Sequence, residues 1–286
     1  IKLHYAIKAN PLPALVNFVQ PLVSGFDVAS RKEMLVAIQS GMPAEKVSFA
    51  GPGKSDADLT AAISANVNIH CESLNEYQRA IKIGQRLTTK PRIAFRVNPA
   101  FELRASGMKM AGGAKPFGID EELLFSQLPK LDYTQFTMMG FHIFAGSQNL
   151  NSSAIIEAHS RIFELAIKLI DVTPAQIKYI NIGGGLGIPY FPGEEHLPLD
   201  GISKHLEQLL DQLDSRYSDI EFVMELGRYL VGEAGIYVSK IIDIKLSREI
   251  KYLVTDGGLH HNLANSGNFG QVIRKNYPVA IGNRYL

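Results

Sequence analysis

The chain has 286 residues, 46% of them hydrophobic and 20% charged, the composition of a globular protein able to bury a large core in one barrel or two domains. Its 29 Lys and Arg against 28 Asp and Glu leave a formal net charge of +1 with no block of like charges, so no nucleic-acid or membrane partner is expected and a small molecule is the default ligand. Cys71 is the only cysteine, which excludes an intramolecular disulfide framework and a cysteine-based zinc cluster and suits a reducing cytoplasm; no apolar run approaches the roughly 18 residues of a membrane-spanning helix.

In chain order, eight short β-like runs can be read, at about 3–8, 25–28, 46–50, 67–71, 92–97, 137–144, 177–182 and 220–225, with helical spacing in the seven segments between them. Ser30 with Glu33 reads as a capping box before Met34, Leu35 and Ile38, and Ser73 with Glu76 as a second. Asn151 and Ser152 open an amphipathic run from Ile155 to Ile170. Connections this long suit crossover helices rather than hairpins, hence parallel pairing, and eight strand–helix repeats over about 230 residues are the size of a (β/α)8 barrel. After Gly235 the texture changes to strand-like runs at 236–245 and 252–255 with no helix between them. Residues 1–235 are therefore expected to form the barrel, and 236–286 the start of a β-domain too short to be stable alone. The chain opens inside a strand without a methionine and is expected to be a piece of a longer protein. The Gly- and Lys-rich stretch Ala105 to Pro116 is the candidate mobile loop over a site.

In a parallel barrel, ligands meet the C-terminal strand ends, and the informative residues fall there. Lys8 closes the first run; a lysine in such a place is either a solvated strand end or a functional amine. Asp27 to Ser30 end the second run, Gly51-Pro52-Gly53-Lys54 follow the third, Glu72 the fourth and Arg96 to Pro99 the fifth. His142 to Gln148 end the sixth. Gly183-Gly184-Gly185-Leu186-Gly187 follow the seventh; without Cβ atoms, backbone N–H groups can close round a phosphate, although the spacing is not that of a dinucleotide fingerprint. Glu225-Leu226-Gly227-Arg228 end the eighth. Glu225 is either an ordinary loop ion pair or the partner of a ligand nitrogen, and Arg228 suits phosphate or carboxylate.

Taken together, Tyr5-Ala6-Ile7-Lys8-Ala9-Asn10, Gly25 to Ser30 with Glu33, Pro52 to Lys54, Phe117-Gly118-Ile119, Gly146-Ser147-Gln148, the glycine run, Glu225 with Gly227-Arg228, and Asp256-Gly257-Gly258 resemble the fold-type III pyridoxal-phosphate decarboxylases, the family of diaminopimelate, ornithine and arginine decarboxylases. The resemblance runs from Tyr5 to about Gly258. It implies pyridoxal 5'-phosphate as cofactor, carried by Lys8 as a Schiff base. Ser147, Gly184, Gly185 and Arg228 would hold the phosphate, with Glu225 on the pyridine nitrogen, where it keeps the ring protonated and a better electron sink. An amino acid or amino-acid derivative is the implied substrate. A homodimer is implied too, completed by a cysteine and a tyrosine that lie beyond Leu286. An amino-acid racemase of the same fold is the alternative enzyme, but its lysine strand runs into an Ala-Tyr-Gly-type turn rather than Ala9-Asn10-Pro11. A non-catalytic carrier or regulator would be expected to have lost Lys8, the glycine run or Glu225.

Two departures from the family pattern stand out. The histidine that stacks on the cofactor ring belongs three residues before the phosphate serine, where this chain has Phe144, with His142 five before. A regular strand puts both rings in the barrel and favours Phe144 as the stacking ring; a bulge would bring in His142. No arginine follows Asp256-Gly257-Gly258 within 259–265 to take a distal carboxylate, which argues against diaminopimelate itself.

Overall fold

The computed structural model describes residues 1–101, 108–109, 113–258, 261 and 278–284. The period-two runs become eight strands: β1 Lys2–Ala6, β2 Gly25–Val28, β3 Val47–Phe49, β4 Asn68–Cys71, β5 Arg92–Asn98, β6 Thr137–Ile143, β7 Tyr179–Asn181 and β8 Glu221–Leu226. Each pairs in parallel with its neighbour in sequence, and β8 pairs with β1, so the sheet closes into a barrel. Between and after the strands lie α1 Pro13–Val19, α2 Arg31–Gln39, α3 Asp56–Ser64, α4 Leu74–Arg86, α5 Glu121–Gln127, α6 Ser152–Val172, α7 Asp200–Asp211 and the single turn α8 Arg228–Val231. The expected (β/α)8 barrel is thus observed.

Helix starts follow their capping residues. Ser30 Oγ accepts from Glu33 N at 3.2 Å, Ser73 Oγ from Glu76 N at 3.0 Å, and Asn151 Oδ1 from Ala154 N at 3.1 Å. In the first two, the glutamate side chain reaches back one residue further than a capping box requires, to Ala29 N and Glu72 N. Ser55 and Asp58 close a full box at the start of α3.

Alternation along the strands separates two environments. Tyr5, Phe26, Phe49, Ile69, Phe95, Phe141, Ile180 and Phe222 point outward and pack with Val16, Met34, Leu59, Ile83, Leu124 and Ile162 of the helices in one core. Each fully buried side chain of this kind contributes about 1.5–3 kcal/mol, so this shell dominates stability. Cutting Phe95 to alanine would cost about 3–5 kcal/mol. The alternate residues face the lumen, where, among the described residues, only Ala94, Met139, Tyr179 and Val223 make a small apolar cluster. His4, Asp27, Ser48, Asn68, His70, Arg96, His142 and Asn181 are also buried, so most of the lumen is polar. Buried polar groups are costly unless paired, and this lumen is accordingly laced with hydrogen bonds.

Lys8 differs from expectation. The strand stops at Ala6, and Ile7–Ala9 form a 3-10 turn closed by Asn10 N on Ile7 O at 3.0 Å, ahead of Pro11, so Lys8 leaves the barrel edge from a turn. Residues 105–107 and 110–112 of the Ala105–Pro116 loop lie outside the described residues; its part Met108–Lys109 pairs antiparallel with Gly146–Ser147.

The chain divides into two units, Ile1–Ile188 with His196–Gly232, and Pro189–Glu195 with the described residues from Glu233 onward. In the second, β9 Ile241–Ser247 and β10 Ile250–Thr255 form an antiparallel hairpin. Strand therefore begins at Ile241, later than the run at 236–245 suggested. Arg248 and Glu249 turn it with φ of 49° and 69°, the two left-handed residues of a two-residue hairpin loop. Among the described residues no helix is long and apolar enough to cross a membrane.

Candidate active site

The parallel barrel collects its strand ends at one mouth, and the loops that follow are tied to one another there. Asn149 N donates to Gly185 O and Gly187 N to Asn149 O, both at 2.9 Å, zipping the loop after β6 to the glycine run after β7. Gln148, at φ 53°, adds a bond from Ile188 N to its Oε1 at 3.3 Å, and the same oxygen takes Arg228 Nη1 at 3.3 Å. Gly184 and Gly185 cannot be replaced in this arrangement. A Cβ on Gly184 would overlap the Glu225 carbonyl, and one on Gly185, whose φ is +95°, would overlap the Gly146 carbonyl and approach Ser147 Cα to 3.6 Å. Ser147, Gly184, Gly185 and Arg228 are therefore gathered in one cradle of backbone and side chain.

Beside the cradle stand Lys8, Asp27 and Glu225. Lys8 Nζ lies 3.6 Å from Asp27 Oδ2; the lysine side chain is 62% exposed, whereas Asp27 is 1% exposed. Asp27, then Glu225, hold the Lys8 amine above its ordinary basicity, against burial and Arg96. Asp27 Oδ1 is buried without a partner, and burial raises this carboxyl although Lys8 and Arg96 pull it down. Glu225 is pushed up to about 8, first by burial and then by Asp27, with Lys8 and the Asn181 amide opposing. Its Oε1 accepts from Asn181 Nδ2, and its Oε2 faces His142 Nε2 at 3.5 Å.

His142 and Phe144 part company. His142 is fully enclosed, with its Nδ1 2.9 Å from His70 Nδ1, and burial holds it neutral. Phe144 lies past the end of β6, half-buried, its ring 6.4 Å from the His142 ring and 5.7 Å from the Arg96 guanidinium. The register shift in this part of the sheet falls between Ile93 and Ala94, opposite Met138 and Gly140, and not between His142 and Ser147.

Under the mouth lies a second polar knot. Glu72 Oε1 accepts from Gly51 N at 2.6 Å and Arg96 Nη1 at 2.9 Å, and its Oε2 from Gly118 N at 2.8 Å. Lys54, buried, pairs with the Glu76 carboxylate, Nζ 2.8 Å from Oε1, and donates to Gly51 O at 2.5 Å and His70 O at 3.0 Å. The loops after β3, β4 and β5 thus share one set of charges, and that set aims Arg96 at the mouth.

Of the residues singled out from sequence, Lys8, His142, Glu225, Ser147, Gly184, Gly185, Arg228 and Phe144 all come to this mouth. Asp27, Glu72 and Arg96 stood out only as strand-end residues, without a role. His70, Tyr179 and Asn181 escaped notice. Their signal was present, as polar residues at every second position of apolar strands.

A closed parallel barrel with a lysine, two carboxylates and a glycine cradle at its C-terminal mouth defines a class of pyridoxal-phosphate protein, and the chain belongs to it: residues 1–232 match the pyridoxal binding domain of the pyridoxal-dependent decarboxylases. The chain is 31% identical over 282 residues to an L-glutamyl-[BtrI acyl-carrier protein] decarboxylase from Niallia circulans, covering 98% of this chain and 66% of that one. It is 31% identical over 265 residues to a diaminopimelate decarboxylase from Thermoplasma acidophilum, covering 92% and 62%. The crystal structure of Helicobacter pylori diaminopimelate decarboxylase complexed with L-lysine superposes with a TM-score of 0.80 at 26% identity, over 93% of this chain and 66% of that one. The chain thus spans just under two thirds of the length of these relatives.

Proposed function

We propose that this protein removes CO2 from an amino acid or an amino-acid derivative with pyridoxal 5'-phosphate as cofactor, residues 1–235 being the cofactor-binding barrel. The observation that carries this is the convergence of Lys8, Asp27 and Glu225 beside the Gly184–Gly185 cradle. The residues fit the group: lacking a Cβ, Gly184 and Gly185 pack directly on the Glu225 and Gly146 carbonyls, which brings the glycine run beside Ser147, and a buried Asp27 oxygen lacks a partner. When bound, the cofactor supplies an electron sink for the carbanion left as the carboxylate departs.

The chain's own residues do the rest. Lys8 presents its amine from the turn after β1, with Asp27 as counter-ion to receive and return its proton. The Gly184 and Gly185 backbone, the Ser147 hydroxyl and the Arg228 guanidinium bind the phosphate. Glu225 holds a proton at the ring nitrogen, where its carboxylate gains a cationic partner that offsets its burial. Phe144 offers an apolar ring to the cofactor's face, since His142 is engaged below with His70 and Glu225.

Among the relatives are an enzyme named for a carrier-bound glutamyl group and others named for diaminopimelate. An α-amino acid unit with a variable distal part is common to both, and the absence of an arginine at 259–265 favours a substrate without a free distal carboxylate. We place the protein in the cytoplasm, as a homodimer. The test is borohydride reduction of the full-length protein with pyridoxal phosphate, followed by peptide mapping. A reduced adduct on Lys8 is expected; an adduct on another lysine, or none, refutes the assignment. CO2 release from free and carrier-tethered amino acids then sorts the substrates.

A further inference from the structure

Behind Glu225 the lumen holds a chain of buried polar side chains that the reaction as derived above does not use. Tyr179 Oη lies 2.6 Å from His70 Nε2, and His70 Nδ1 lies 2.9 Å from His142 Nδ1. His142 Nε2, buried and otherwise without a partner, faces Glu225 Oε2 at 3.5 Å. We propose that Tyr179, His70 and His142 form a hydrogen-bond chain of one polarity whose last N–H points at Glu225, favouring its ionised form and aiming it at the cofactor's ring nitrogen. The proposal rests on the functional reading above and makes Tyr179 and His70 positioning residues.

The polarity follows from counting protons. Burial raises the Tyr179 phenol far above its ordinary range, so it keeps its proton, and among the described residues His70 Nε2 is its only hydrogen-bond partner. The phenol therefore donates to Nε2. Burial also lowers both imidazoles well below their ordinary range, so each is neutral and carries one N–H. With Nε2 of His70 accepting, its proton sits on Nδ1 and is donated to His142 Nδ1. The remaining proton of His142 then sits on Nε2 and points at Glu225 Oε2. Asn181 Nδ2 donates to the other oxygen. The Asn181 donor favours the ionised form against the burial and the Asp27 charge that disfavour it, and an N–H aimed at the other oxygen from 3.5 Å acts in the same direction. Lys8 from the turn after β1 and Arg96 from β5 add positive charge on the same side. The opposite polarity would strand the Tyr179 proton without an acceptor and turn a donor away from Glu225.

The same three side chains could be read as metal ligands, because donor atoms of His70, His142 and Glu225 lie within 4.8 Å of one another. A tetrahedral zinc at roughly 2.0–2.1 Å from each nitrogen would separate the two by roughly 3.4 Å. The observed 2.9 Å is a hydrogen-bond distance, and Tyr179 already occupies the far side of His70.

The test uses the full-length protein loaded with pyridoxal phosphate and labelled with 15N-histidine. NMR should show His70 protonated at Nδ1 and His142 at Nε2. In Tyr179→Phe, the loss of the phenol removes the bias, and the ratio of the two tautomers should move roughly tenfold, the size expected for one unpaired buried polar atom. Cofactor affinity should fall by a similar factor while the Lys8 adduct still forms. His142 protonated at Nδ1, tautomers unmoved in Tyr179→Phe, or a stoichiometric metal surviving dialysis would each overturn the chain. Should Tyr179→Phe not fold, the wild-type tautomers decide alone. A missing Lys8 adduct would instead sink the functional reading, which separates the two failures.

Discussion

Replacing Lys54 by methionine would remove the cation from the knot beneath the site while keeping much of the side-chain volume. Lys54 and Glu76 are 1% and 4% exposed and 2.8 Å apart, and Lys54 also serves the carbonyls of Gly51 and His70. Breaking a buried pair by deleting one partner costs about 3–5 kcal/mol, because the other charge is left unpaired. Glu76 can escape by taking a proton. Burial already raises it from its ordinary 4.5, with Lys54 opposing, and loss of Lys54 raises it further. Protonating it costs about 1.4 kcal/mol per pH unit above 4.5, hence about 3.4 kcal/mol at pH 7 and about 0.7 at pH 5. A group raised in the folded state favours folding at low pH and loses that contribution as pH rises. The deficit of Lys54→Met should therefore be about 3–5 kcal/mol at pH 7 and shrink by about 2–3 kcal/mol at pH 5. Because the chain has no tryptophan, urea unfolding is best followed by far-ultraviolet circular dichroism, each variant against wild type at the same pH. Lys54→Met/Glu76→Leu should regain much of the loss. A deficit under about 0.5 kcal/mol, or one that grows toward pH 5, would refute the account.

Gly184→Ala places a methyl against the Glu225 carbonyl and should weaken pyridoxal phosphate at least about tenfold by fluorescence titration; unchanged affinity would show that the cofactor does not use this cradle. Glu225 is raised to about 8, so its contribution to the cofactor-free protein is present below about pH 4.5 and is lost as pH rises toward 8. The unfolding free energy from urea titrations should fall over that window with a slope of at most about 1.4 kcal/mol per pH unit, and Glu225→Gln should flatten the fall.

Much of the fold was legible because local rules and tertiary demands agree here. Ser30, Ser73 and Asn151 cap helices by bonds to residues three positions on, and Phe26, Ile69 and Phe141 alternate as outward strand residues must. Lys8, the glycine run and Glu225 showed themselves because strand ends in a parallel barrel share one mouth wherever they lie in sequence. Sequence by itself thus determined the barrel, its family and which strand-end residues gather at its rim. The tertiary structure alone decided which lumen residues meet. Tyr179 and His70 are 109 residues apart and His70 and His142 72 apart, yet they bond because closing the sheet brings β4, β6 and β7 around one axis. Spacing along the chain carries no record of such contacts. It tells that residues such as His70 and Asn181 alternate with apolar neighbours, but only the register across the closed barrel sets which atoms lie within 3 Å, and therefore which protons each carboxylate and imidazole can hold.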